Sequence, residues 1–308
     1  MSKKLFPFLS LIFIGVMSTS CEKNELEEVV VANAVQVENA SSASILVEET
    51  FESGTGLEAV HSDDFAASHS FTLVSNPVFA GKKAARFELR DTDPMVSSGT
   101  RAEVTVIKDE SAPMEKEMWY SFAVLFPTNG YEADAEKEII SQWHQTGGAS
   151  PPVSLIIRND RMSVEVTAVA DAEKKFDLGE ITKDSWQQFA FHIIHSKKSD
   201  GLVEIWKNGA KIFTYKGANL YSNGDPLPKW KMGVYKWKWN GSETTNTTKR
   251  VLYFDNVRAG NGKATLAEMT AGAATAAMST GPAASTTSPT VQVVTEQQLQ
   301  FPEQALPL

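Results

Sequence analysis

Trp230-Lys231-Met232-Gly233-Val234-Tyr235-Lys236-Trp237 is the stretch on which the reading of this chain turns. Side chains on a β-strand point alternately to opposite faces, so Lys231, Gly233, Tyr235 and Trp237 share one face while Met232 and Val234 point to a core. Two distant segments repeat the pattern. Arg101-Ala102-Glu103-Val104 sets Arg101 and Glu103 against Ala102 and Val104, and Gln142-Trp143-His144 pairs Gln142 with His144. An arginine, a glutamine, a histidine, a lysine and a tyrosine on one sheet face suit an acidic ligand and proton transfer.

Outward from these segments, residues 45 to about 260 form a series of short runs rich in β-branched and aromatic residues, separated by turn signals. The pattern predicts strands at 71–74, 84–89, 102–107, 119–126, 138–144, 153–157, 163–169, 187–195, 202–207, 230–237 and 251–257. Asn208-Gly209 between two such runs is a hairpin turn signal. No long segment has helical periodicity. Repeated short strands with regular turns predict an all-β domain over residues 45–268, a sandwich or a jelly roll.

The ends differ from this domain. Lys3 and Lys4 precede an apolar run from Leu5 to Met17, then Ser18, Thr19, Ser20 and Cys21, the layout of an export signal over residues 1–21. Its closing cysteine resembles the lipidation site of a bacterial lipoprotein, with Ser18 where an aliphatic residue is usual. Residues 22–44 then read as a tether and 269–308, rich in Ala, Thr, Ser, Pro and Gln, as a low-complexity, disordered tail. Cys21 is the only cysteine, which excludes an intramolecular disulfide and a cysteine metal cluster.

The formal charge of the whole chain is −9; residues 1–21 hold two lysines and no acid, so without them it is −11. Such acidity argues against nucleic acid as a partner. The basic residues are nevertheless clustered: Lys229, Lys231, Lys236 and Lys238 interleave with Trp230, Trp237 and Trp239, and Arg86, Arg90 and Arg101 fall in or at the edge of two neighbouring predicted strands. A basic and aromatic patch on an acidic protein points to an anionic ligand with flat apolar faces, which a sugar acid provides.

Together the three segments resemble the jelly-roll polysaccharide lyases, the superfamily of alginate lyases, glucuronan lyases and heparin lyase I. The alginate-lyase branch carries an Arg-x-Glu-Leu strand, a Gln-(Ile/Val)-His strand and a Tyr-Phe-Lys-x-Gly-x-Tyr-x-Gln strand, which correspond here, in order, to 101–104, 142–144 and 230–237. Further similarity runs through Phe51-Glu52, 81–89, 119–127, 201–209 and 253–258, so the resemblance spans nearly all of residues 48–260. Val104 for leucine, Trp143 for a smaller aliphatic residue and Lys236-Trp237 in place of the Asn/Gln ending point away from alginate, toward the glucuronan-lyase and heparin-lyase side.

The resemblance implies a β-jelly roll, a concanavalin-like sandwich of two antiparallel sheets, and β-elimination at a uronic acid, with glucuronan the foremost substrate and ulvan, alginate and heparin-type polymers behind it. The C5 proton is barely acidic beside a fully charged carboxylate, so that charge must first be neutralised. Arg101 and Gln142 are expected to bind the carboxylate, and His144 and Tyr235 to move the protons. Where C5–H and O4 lie on one side, as in glucuronate or mannuronate, Tyr235 is expected to perform both transfers. Where they lie on opposite sides, His144 is the expected base and Tyr235 the acid. Lys231, Lys236, Trp237, Arg86, Arg90 and Glu103 are the expected substrate-binding residues, with Glu103 orienting Arg101, and Gly233 leaves room for a sugar ring. One or both of His192 and His195 read as structural.

Glu52 and Asp255 form a candidate calcium pair where the first and last strands meet. No organic cofactor is expected. The chain reads as a monomer that is exported and lipid-anchored at the cell envelope or outer-membrane surface, otherwise secreted or periplasmic, and that meets the membrane through the lipid anchor only. Two other functions fit the same face: a tethered module that captures acidic glycan without cleaving it, and a glycoside hydrolase on a related sandwich. The hydrolase needs two carboxylates flanking the bond, and Glu103 is isolated on its strand.

Overall fold

The structure is a computed structural model, and it describes residues 44–146, 150–168, 174–241, 243–272 and 292–295. The export signal, Cys21 and nearly all of the tether lie outside them. The strands are β1 (Ile45–Glu49), β2 (Ser62–Phe65), β3 (Phe71–Val74), β4 (Ala84–Arg90), β5 (Arg101–Ile107), β6 (Glu117–Leu125), β7 (Glu138–His144) and β8 (Val153–Arg158). They continue with β9 (Arg161–Val166), β10 (Lys174–Glu180), β11 (Gln187–Ile194), β12 (Leu202–Lys207), β13 (Ala210–Lys216), β14 (Lys229–Tyr235), β15 (Lys249–Asn261) and β16 (Gln292–Thr295).

They form two sheets. One has the order β16-β13-β12-β11-β6-β15-β4-β3, with β1 added on β15, and the other the order β10-β9-β8-β7-β14-β5-β2. All pairings are antiparallel except that of β16 with β13. This is the expected jelly-roll sandwich. The alternation read from sequence places its core: Ala102, Val104 and Val106 of β5, Trp143 of β7, Met232 and Val234 of β14, and Tyr120, Phe122 and Val124 of β6 all face inward. Trp143 packs on Tyr120 and Phe191 with centroids 5.4 and 4.9 Å apart, and Trp230 packs on Tyr120 at 5.1 Å. Burying each such ring removes about 150–250 Å² from water, roughly 4–6 kcal/mol before the entropy of ordering is subtracted.

Asn208 and Gly209 join β12 to β13 with φ of 51° and 79°, the left-handed pair that the tight hairpin turn requires. β2 and β10 fall outside the predicted strands because Ser-Asp-Asp-Phe and a run containing Lys174, Lys175, Asp177 and Glu180 carry little apolar signal; β1 falls outside them too, as does β16, which pairs with β13 from within the stretch read as a disordered tail. At the other end a short helix, α1 (Leu266–Met269), opens with a Thr265–Glu268 capping box. Packing continues past residue 268: Ser121 Oγ donates to Met269 O at 2.6 Å and Arg258 donates to Ala271 O at 2.8 Å.

Candidate active site

The outward face of the β7, β14, β5, β2 block collects the polar residues. Register does this directly: Tyr235 lies opposite Arg101, Gly233 opposite Glu103, Lys231 opposite Gln142 and Lys229 opposite His144. The expected face is therefore real, with Arg101, Gln142, His144, Lys231 and Tyr235 on three adjacent strands.

Glu103 is its hub. With no exposed surface, its carboxylate accepts from Arg101 at 2.9 Å, Gln142 Nε2 at 2.5 Å and Lys231 Nζ at 3.0 Å. A buried charge persists only when paired in this way. Glu103 thus orients its neighbours, and its expected contact with substrate is corrected. Lys231, its side chain 4% exposed, also binds Asp64 Oδ2 at 2.7 Å. It is a buttress held between two carboxylates, not an open substrate contact. Asp64 accepts from Ser97 Oγ at 2.5 Å, so the tight turn Val96–Gly99 is tied to the same network.

Arg101 lies with its guanidinium carbon 4.0 Å from the centroid of the Tyr235 ring. Glycine at 99 permits this: a Cβ there would stand 2.6 Å from Arg101 NH2 and 2.7 Å from Tyr235 Cε2. The Tyr235 hydroxyl accepts from Asn240 Nδ2 at 3.4 Å, and Asn240 Oδ1 accepts from the Thr100 amide at 2.6 Å. Gly233 answers to a different demand from the one expected. At φ 136°, its Cβ would come 2.2 Å from Ala102 O, so glycine lets β14 lie against β5 and makes no space for a sugar.

His144 is half-buried and its Nδ1 has no hydrogen-bond partner. Burial, then the charges of Lys229 and Lys231, push its pKa down to about 4, so it is a neutral proton acceptor at pH 7. Lys229 is itself lowered, first by burial and then by Lys231. This end of the face repels protons and attracts anions.

Beside Tyr235 a cleft of about 290 Å³ opens over β7, β8 and β9, lined among others by Lys137, Ile139, Ser154, Glu165 and Trp237. The strand expected to run to Trp237 stops at Tyr235, and residues 237–239 form a 3₁₀ turn that still carries Trp237 to the cleft, edge-on to Tyr235 at 6.0 Å. Asp64, Lys137, Glu165 and Asn240 escaped the sequence reading because each belongs to a segment without a motif. Only the alternation of Ser163, Glu165 and Val164 hinted at a polar outer face.

Three expected substrate contacts lie elsewhere. Lys236 has no exposed surface; its ammonium binds Glu138 at 2.8 Å and Asp134 at 3.4 Å and donates to Glu136 O, beneath the face. Arg86 and Arg90 sit on β4, in the opposite sheet, where both pair with Glu88 on the outer surface. Adjacency in sequence misled here, because the chain crosses from one sheet to the other between β4 and β5. His195 is buried against the Tyr120 hydroxyl at 2.8 Å and burial pushes it down to about 3. His192 bridges Glu117 and Glu204 at 2.7 and 3.0 Å.

Glu52 and Asp255 are neighbours, but both are engaged by one loop. Glu52 accepts the amides of Lys82 and Lys83, and Asp255 those of Phe79, Ala80 and Asn256. Among the described residues no group of three or more His, Cys, Asp or Glu side chains is placed to hold a metal. Burial, with Glu52 adding to it, raises Asp255 to about 6.

The family model described as "Polysaccharide lyase" matches residues 48–258. Among solved structures, an endo-β-1,4-glucuronan lyase from the fungus Trichoderma reesei superimposes with a TM-score of 0.58 at 18% identity, covering 73% of this chain and 98% of that one. The catalytic domain of a glycoside hydrolase family 131 protein from Coprinopsis cinerea gives 0.52 at 12%, covering 72% and 97%. No curated protein sequence matches.

Proposed function

The chain belongs to the polysaccharide lyase family, and from that premise we propose that it cleaves a uronate-containing polysaccharide by β-elimination on the face centred on Arg101 and Tyr235. The observation that carries the reading is the grouping of Arg101, Gln142 and Lys231 around buried Glu103, with Tyr235 stacked on Arg101 and a neutral His144 opposite Lys229 on the same face. Arg101 has five N–H donors and Gln142 an amide with two, so each keeps donors for a substrate carboxylate after serving Glu103. Neutralising that carboxylate stabilises the negative charge that develops when C5 loses its proton. The C5–H electron pair becomes the C4=C5 bond, the C4–O4 bond breaks, and O4 takes a proton.

Tyr235 is the donor in this scheme. His144 receives the C5 proton where it lies opposite O4, and Tyr235 serves both steps where the two lie on one side. The alternatives fit less well. A hydrolase needs a pair of carboxylates free to flank the bond. Glu103, Asp64 and Glu165 are each tied to a cation instead. A capture module has no use for a neutral proton acceptor and a phenol on the face that binds the carboxylate.

The test is ultraviolet absorbance of the conjugated, unsaturated uronate during incubation with glucuronan, ulvan, alginate, heparin-type glycans and pectate, with Tyr235→Phe as control. Absorbance that rises on one polymer and vanishes in the variant supports the reading; glycan bound without product on every polymer sinks it.

The proposal includes export and lipid anchoring, supported by residues 1–21 alone. Among the described residues no helix is long and apolar enough to cross a membrane. Radiolabelled palmitate incorporated by the full chain, and lost in Cys21→Ala, is the expected result.

A further inference from the structure

We propose that the cleft beside Tyr235 holds an uncharged sugar, so that the polymer cleaved alternates uronate with a neutral residue; this rests on the elimination reading above. Gln142, Ser154 and Glu165 stand at one level of β7, β8 and β9, opposite one another in register. Glu165 is therefore two strand spacings from Gln142, about 10 Å. It meets a neighbour of the uronate being cleaved, not that uronate.

The two positions differ in charge. At the first, Arg101, Lys229 and Lys231 outnumber Glu103 and Asp64 around His144. At the second, Lys137 Nζ binds both oxygens of Glu165, at 3.1 and 2.9 Å, on the floor of the cleft. Lys137 also lies 5.5 Å over the Trp237 ring.

A second uronate carboxylate here would meet the Glu165 anion, which is largely buried and so poorly screened, while the lysine that would have to receive it is already committed. Hydroxyl groups face no such conflict. They donate to Glu165 and accept from Lys137, and the apolar face of the ring rests on Trp237. Ser154, at the centre of the floor, adds a small neutral hydroxyl. A homopolymer such as glucuronan places a carboxylate at every position and is the poorer fit.

The experiment compares unsulfated glucuronan oligosaccharides with hyaluronan and desulfated ulvan oligosaccharides of equal length, in which uronate alternates with a neutral sugar. Binding is read by calorimetry on the Tyr235→Phe protein, so that it does not depend on turnover, and kcat/KM is read on the active enzyme. At least one alternating probe is expected to bind about tenfold or more tightly than glucuronan. Glu165→Gln, with its melting temperature checked, should narrow that gap by improving glucuronan, and Lys137→Met should widen it. Equal or absent binding, a preference for glucuronan, or a gap that neither variant moves overturns the inference. Preference in binding with no unsaturated product from any polymer would leave this subsite standing and overturn the elimination reading instead.

Discussion

The guanidinium of Arg101 lies face-on to the ring of Tyr235 at 4.0 Å while one of its nitrogens binds Glu103 at 2.9 Å. One arginine thereby positions the proposed proton donor and is itself fixed by a buried anion. Removing either neighbour should be felt by the other.

Tyr235→Phe removes the transferable proton and leaves the stacked ring in place. Turnover should fall by at least ~100-fold with substrate binding changed little, since general acid–base groups contribute about 10²–10⁴. Initial rates by ultraviolet absorbance and calorimetry with an oligosaccharide measure the two. Activity near the wild-type level would remove Tyr235 from the mechanism.

Arg101→Ala should weaken both binding and rate. A hydrogen bond to a charged group is worth about 1.5–3 kcal/mol, or roughly a 10–150-fold loss in kcat/KM. Arg101→Lys keeps the charge but loses the planar fork and should recover only part of it. Full recovery by lysine would mean that charge alone matters.

Glu103→Gln takes the anion from the centre of Arg101, Lys231 and Gln142. Breaking a buried ion pair from one side costs about 3–5 kcal/mol. For a domain of this size that lowers the melting temperature by about 6–20 °C. A variant as stable as wild type would show that Glu103 is not the hub.

The pH dependence follows from His144 and His195, lowered to about 4 and about 3. An unfolded histidine titrates near ~6.5, so below that pH the unfolded chain binds more protons and stability falls as pH drops toward 4. Asp255, raised to about 6, has the opposite sign. It takes up its proton in the folded state first, so between pH 6 and the ordinary carboxylate range it offsets part of the loss. Melting curves from pH 7 to 4 should show a net decline that His144→Gln makes shallower. In rates, the acid limb of kcat/KM should lie near pH 4, and that of kcat higher, because a bound uronate offsets the cations that lower His144. Coincident limbs near pH 6.5 would contradict this.

Arg86→Ala and Arg90→Ala, on the opposite sheet, should leave kcat/KM within about twofold, as for other surface changes. Lys236→Met should act on stability first, because Glu138 and Asp134 lose a buried cation. A rise in KM from either arginine variant, without loss of stability, would restore them as substrate contacts.

Alternation alone made the main features of this protein legible. Because the side-chain period of a strand is two, Arg101 with Glu103, Gln142 with His144, and Lys231 with Tyr235 had to share faces, and Ala102, Trp143 and Met232 had to fill a core. The two-sheet class, the hairpin at Asn208-Gly209 and the membership of the outer face follow from that periodicity and from turn chemistry. Which strands lie side by side does not, since pairing depends on contacts far apart in the chain. Only the tertiary structure put β14 between β7 and β5, sent Arg86 and Arg90 to the other sheet, turned Lys236 inward where β14 ends, and brought Asp64 and Glu165 to the site. A period of two says which side of a strand a residue occupies; burial and cross-strand register decide what it meets there.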